Sequence, residues 1–292
     1  MNIDERNKIL CFSAALVCLA VLSALPCRAA CQERVYTRVI SLSPLVTRII
    51  YLVGAQDSLM GDTTYCNVPD AARHKEKIGS VIRANVEKIV RMQPDLIFAS
   101  PLSREKQLKT LEHQNIHVMR IKNPATFDEL CGITIEIAEK LGKGQTARAI
   151  VENCSDQAHQ ILEKTEGLEK PGVFVQIGVK PLQAASRAMF INEYIRYSGG
   201  INIVCDRSSG IYSREKVIMQ NPKVILIATM GSSRKAGTAE KRRWMRFPSI
   251  DAVKHGRVHV LEPGIMCSPD PAAFIKGLKI ILPMIHPEVS MK

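Results

Sequence analysis

Short apolar runs alternate along the chain with stretches whose apolar positions recur at helical spacing. "RVISLS" (38–43) is a strand candidate that stops at Ser-Leu-Ser-Pro and passes at once into a helix through "VTRIIYLVGA". Ser43 suits the cap of that helix, and Pro44 suits its first turn, where a missing N–H costs nothing. "DLIFAS" (95–100) precedes a helix near 103–114, and "HVMRI" (117–121) follows it. "GVFVQIG" (172–178) precedes a helix near 190–198, and "KVILIAT" (223–229) and "RVHVLE" (257–262) complete the series. Such apolar runs, separated by helices, predict an α/β fold whose parallel sheets are covered on both faces.

The middle of the chain is different. From Pro124 to about Lys170 no strand candidate occurs. "FDELCGITIEIAEKLG" is followed by "KGQTARAIVENCSDQAHQILEKTEGLEK", in which Ala149, Ile150, Cys154, Ala158, Ile161 and Leu162 keep helical spacing. A helix of about 22 residues would span some 33 Å, enough to bridge two lobes. Residues on either side echo each other: "NVEKIVRMQPDLIFA" (85–99) and "SREKVIMQNPKVILIA" (213–228) both run cap, Glu-Lys, aliphatics, Met-Gln, Pro and strand. Repetition of one helix–turn–strand unit predicts two similar α/β lobes.

Residues 9–25 form an uncharged apolar run with small residues after it, which reads as a signal peptide over 1–30. "RAAC" also resembles a lipoprotein box that would anchor the chain at Cys31, and an uncleaved N-terminal anchor is the third possibility. The formal net charge is +12, and the densest cluster is "EKRRWMR" (240–246). The basic residues are otherwise spread out and lack aromatic interleaving, so no nucleic acid is expected, only a solvated surface or attraction to anions. Beyond the leader stand Cys31, Cys66, Cys131, Cys154, Cys205 and Cys267, none in CxxC spacing. Disulfides or buried free thiols are both compatible with that, and no metal site is expected.

Taken in order, seven stretches resemble the class III, helical-backbone periplasmic binding proteins of ABC importers for vitamin B12, ferric siderophores and haem. They are "RVISLSPLVTRIIYLVGA", "GDTTYCNVPDAARHKEKIGS", "NVEKIVRMQPDLIFAS", "LEHQNIHVMRI", "GGINIV", "YSREKVIMQNPKVILIA" and "WMRFPSIDAVKHGRVHVLEPG". The resemblance implies two Rossmann-like lobes with mainly parallel sheets, at 37–122 and 170–289, joined by a helical segment at 123–169 with a long backbone helix. It implies a monomer without catalysis or resident cofactor. Its cargo would be a metal chelate (a ferric siderophore or other iron complex, haem or cobalamin), delivered to an inner-membrane ABC permease with its ATPase. Glu87 and Glu215 match the family's two docking glutamates, one per lobe.

Matching the family's cleft loops are Tyr65, Val81, Ile82, Arg83, Arg187, Met230 and Met266, with Tyr212 offered by "RSSGIY"; Ser43 stands where the resemblance places a strand end at the cleft. The candidate ligand set is Ser43, Tyr65, Arg83, Arg187, Tyr212, Met230 and Met266. Arg83 and Arg187 suit an anionic chelate through charge-assisted hydrogen bonds. The chain departs from the family in having Thr47-Arg48 where Thr-Glu is common, and Val81 where a tryptophan is expected. Trp244, at a helix start by the same matching, reads as packing. Two other classes stay open. Ser103-Arg-Glu-Lys106 and Ser213-Arg-Glu-Lys216 have the Ser-x-x-Lys spacing of a penicillin-binding-type serine hydrolase, although both serines also fall at expected helix starts. A non-transport surface protein on the same fold is the other.

Overall fold

A computed structural model describes residues 34–205, 210–229, 234–266 and 269–289. The first sheet is built from β1 (Val39–Ser41), β2 (Leu59–Asp62), β3 (Glu76–Lys77), β4 (Leu96–Ala99) and β5 (His117–Arg120). Its order is β3-β2-β1-β4-β5, with every pairing parallel. The second contains β6 (Gly172–Gly178), β7 (Gln183–Ala184), β8 (Ile201–Asn202), β9 (Val224–Ile227) and β10 (Val258–Val260). There the order is β10-β9-β6-β7, with β8 also on β6, and only β6–β7 runs antiparallel.

The helices are α1 (Pro44–Leu52), α2 (Val86–Met92), α3 (Glu105–His113), α4 (Phe127–Lys140) and α5 (Gly144–Glu163), followed by α6 (Ile191–Tyr197), α7 (Arg214–Gln220), α8 (Arg234–Trp244), α9 (Asp251–Lys254), α10 (Pro263–Met266) and α11 (Pro271–Ile285). The helical middle is therefore two helices, and α5, at 20 residues, is the longest described. It extends about 30 Å.

Strand periodicity divides the core. Val39, Leu96 and Phe98 of the first sheet, and Val173, Val175, Val224 and Leu226 of the second, turn toward one continuous apolar cluster. Ile49, Leu130, Ala158, Tyr194 and Leu278, from α1, α4, α5, α6 and α11, fill it between them. The alternate residues face outward: Ile40, Ile97 and Ala99 pack with α2 and α3, and Phe174, Ile225 and Ile227 with α7, α8 and α9. The central strands β1, β4, β6 and β9 are thus buried on both faces, which is why they carry little polar alternation, while the edge strands β3 and β5 are partly exposed. Because the inner cluster is shared, Val35 onward forms one compact unit.

Two features lock the shared layer. The buried Glu193 carboxylate accepts from the Phe127 main-chain N–H at 3.0 Å and from Arg196 at 2.9 Å, tying the start of α4 to α6. Gly277 lets α11 lie against Tyr194, because a Cβ there would meet that ring at 2.5 Å. The four described cysteines beyond the leader, Cys66, Cys131, Cys154 and Cys205, are free. The first three are buried in the core, and burial pushes the Cys131 thiol up to about 12. Cys31, Cys267 and the leader lie outside the described residues. Among the described residues no helix is long and apolar enough to cross a membrane.

Candidate functional site

The chain builds β2 and β3 on one side of β1 and then crosses to place β4 on the other. The carboxyl end of β1 is therefore a switch point, where neighbouring connections diverge and leave a crevice. β6 holds the same place in the second sheet, between β9 on one side and β7 and β8 on the other. A cavity of about 440 Å³ lies between these two strand ends, lined by Leu45 just beyond β1, Asn123 and Pro124, Ile177 at the end of β6, Met189, Phe190, Met266 and Pro269. That size falls in the roughly 300–1,000 Å³ of small-molecule sites. Its walls are mainly apolar. Phe190 also stacks edge-on against Phe274 at 5.5 Å and Tyr194 at 6.1 Å, so the cavity rests on the aromatic part of the shared core.

Of the residues proposed from sequence, Met266 lines this cavity and is 1% exposed. Ser43 is buried at the head of α1, two residues before Leu45. It occupies the cap position but makes no side-chain capping bond. Instead the Ser41 hydroxyl donates to the Ser43 carbonyl at 2.8 Å and accepts from its N–H. Tyr65 is 64% exposed on the loop after β2. Arg83 sits on an exposed turn closed by the Gly79–Ala84 bridge. Gly79 is required there: its φ is +107°, and a Cβ would lie 2.4 Å from the Arg83 carbonyl oxygen.

Arg187 is exposed, with Nε donating to the Asn202 carbonyl at 2.9 Å. Tyr212 is brought elsewhere. Its ring packs at 5.9 Å from Phe174 in the outer core, and its hydroxyl donates to Gln220 Oε1 at 2.6 Å. Met230 lies outside the described residues. Sequence reasoning missed Met189, Phe190, Asn123, Pro124 and Ile177. The available signal was an apolar side chain on a loop that follows a strand end, as at Met189.

Glu87 and Glu215 occupy matching places. Asn85 Oδ1 accepts from the Lys88 N–H at 3.0 Å, and Ser213 Oγ from the Lys216 N–H at 3.2 Å. Each helix ends in a left-handed residue, Gln93 or Asn221, before a proline and a strand. Since α2 and α7 each lead back to the start of the next strand, their first turns stand at the carboxyl edge of the sheets. Both glutamates are exposed there. Hydrogen bonds from its own N–H and from Ser213 hold the Glu215 carboxyl below its ordinary value.

The serines of the hydrolase reading have structural partners. Ser213 caps α7. Ser103 accepts from the Ser100 N–H at 3.2 Å, and Arg104, not Ser103, holds the cap position of α3. Trp244 ends α8 rather than starting a helix, and it is fully buried, donating to Gln176 Oε1 at 2.7 Å. No group of three or more His, Cys, Asp or Glu able to hold a metal occurs among the described residues.

A family model described as periplasmic binding protein matches residues 39–264. The chain belongs to that family. An ABC transporter substrate-binding lipoprotein of Bacillus subtilis is 27% identical over 86% of this chain and 80% of its own. A vitamin B12-binding protein of Yersinia pseudotuberculosis is 28% identical over 74% of this chain and 75% of its own. The solved periplasmic haem-binding protein of Pseudomonas aeruginosa superposes with a TM-score of 0.76 at 20% identity, covering 88% of this chain and 95% of that one. That likeness is one of fold. The family and these relatives are binding proteins, and this chain is a binding protein and not an enzyme.

Proposed function

We propose that this protein is the substrate-binding component of an ABC importer, capturing a metal chelate between its two sheets and delivering it to the membrane permease. The observation that carries the reading is the apolar cavity of Leu45, Ile177, Met189, Phe190 and Met266 between the two switch points. Such walls favour a cargo with a broad apolar face, a corrin or porphyrin macrocycle, over a compact and highly charged chelate. An anion buried among them would lose its hydration with only Asn123 as a polar side chain among the described lining residues, at a cost of several kcal/mol. Arg83 and Arg187, exposed on loops outside the cavity walls, suit the carboxylates or other anionic edges of such a cargo. Ser43, Tyr65 and Met230 remain candidates for cargo contact. The names of the relatives, vitamin B12-binding and haem-binding, support the same chemistry.

Glu87 and Glu215, exposed and one on each sheet's edge, are proposed to pair with cationic residues of the permease, which gives orientation more than raw affinity. Residues 1–30 are proposed as the export signal, with Cys31 as a lipidation candidate, and the protein is read as a monomer without a resident cofactor.

Titration of the purified protein with cyanocobalamin, haem and a ferric catecholate, followed by absorption spectroscopy, tests the reading. Saturable binding of one macrocycle is expected, with the ferric catecholate weaker. Absence of saturation by all three overturns it.

A further inference from the structure

Arg48 lies midway along α1, and the fold gives it a partner 222 positions away. Its Nε and an Nη donate to Asp270 Oδ2 at 3.1 and 3.0 Å, with each side chain only 12% exposed. Asp270 is itself fixed, since its Oδ1 caps α11 by accepting from the Ala273 N–H at 2.8 Å. One partner belongs to the helix leaving β1; the other caps α11, which packs against α5, α6 and α10 in the shared layer. Both stand beside the cavity: Leu45 lies one turn before Arg48, and Pro269 immediately precedes Asp270. On its other side the pair lines a second hollow of about 300 Å³ with Tyr51, Val68 and Pro69. The ion pair therefore lines this second hollow while its sequence neighbours Leu45 and Pro269 line the first.

We propose that Arg48 and Asp270 form a latch between α1 and the start of α11, a positioning pair that sets the spacing of the cavity walls and thereby how long cargo stays. The proposal rests on the cavity being the cargo site. A hydrogen-bonded charge pair with little solvent access resists separation far more than an exposed one, and removing one partner leaves the other uncompensated. Neither residue needs to touch cargo. Loss of the latch is expected to act on release, because the walls can then part, while the encounter surfaces stay as they were.

The test uses the protein as the cell exports it, with ketone-bearing residues for spin labels at the exposed positions of Arg91 on α2 and Lys254 on α9, which spares the native thiols. In cargo-free protein, Arg48→Met is expected to lengthen and broaden the distance distribution between the labels. Arg48→Lys, which keeps the charge, is expected to restore it. Asp270→Asn, which can still cap α11 through its amide oxygen, is expected to match Arg48→Met, and the double variant to add nothing. For whichever of cyanocobalamin, haem and ferric catecholate the wild type binds, Arg48→Met is expected to speed dissociation roughly tenfold, an ordinary size for coupling between sites. An unchanged distance distribution in Arg48→Met overturns the latch, as does failure of Arg48→Lys to rescue it. If the distances respond but the wild type binds none of the three probes, the cargo reading fails while the latch stands.

Discussion

Phe190 joins the cavity to the core, presenting one side to the cargo space and the other to Phe274 and Tyr194. A carboxylate in its place would sit unpaired against apolar walls. Phe190→Asp is therefore expected to weaken cargo binding by tenfold or more, about 1.4 kcal/mol per factor of ten, by calorimetric titration. Met245→Asp, on an exposed side chain beyond α8, is expected to leave it unchanged. Tyr212 illustrates the opposite case. The residue reads from sequence as a candidate ligand contact, yet its ring packs against Phe174 and its hydroxyl donates to Gln220. Tyr212→Phe is expected to cost about 1 kcal/mol in urea denaturation with cargo affinity intact. A fall in affinity would return it to the cargo site. Side-chain direction is the difficulty at this scale, because a loop residue's neighbours come from segments far away in sequence.

Elements were easier to read than residues wherever burial was complete. The central strands β1, β4, β6 and β9 stood out as nearly continuous apolar stretches, since both faces are covered there, whereas β5 and β10 were read from shorter Val-containing runs beside them. β2, with only Leu59 and Met60 apolar, and the two-residue β3, β7 and β8 were not foreseen, because pairing with a neighbour rather than local pattern makes them strands. Gln176, in the middle of β6, breaks the apolar run for a reason visible only in the fold. Its amide accepts from Trp244 at 2.7 Å and donates to Glu240 Oε2 at 2.9 Å, while Arg214 and Arg243 pair with the same carboxylate. Burial pushes the Glu240 carboxyl up, but these partners outweigh it and hold it below its ordinary 4.5. A carboxyl lowered by folding stabilises the protein above that value and loses the contribution as pH falls through its folded pKa. Glu240→Gln is thus expected to cost about 3 kcal/mol at pH 7, by leaving Arg214 uncompensated, and progressively less below pH 4.5. Denaturant midpoints against pH check this; a pH-independent penalty would contradict it.

At the scale of the molecule, the echo between 85–99 and 213–228 became two equivalent helix–strand units, each with a capped first turn bearing an exposed glutamate. Glu87→Ala and Glu215→Ala together are expected to abolish most uptake of the cargo by cells while its affinity for the purified protein stays the same. Unchanged uptake would dissociate these side chains from docking. Burial of both sheet faces and the repeat wrote themselves into residue order, because apolar runs, caps and prolines act over a few positions at a time. The sequence therefore determined the α/β class, the helical middle and the pairing of the two glutamates. Which side chains share the cavity, where Tyr212 points and that Arg48 meets Asp270 were decided only by tertiary structure, since each depends on surfaces brought together from opposite ends of the chain around one shared core.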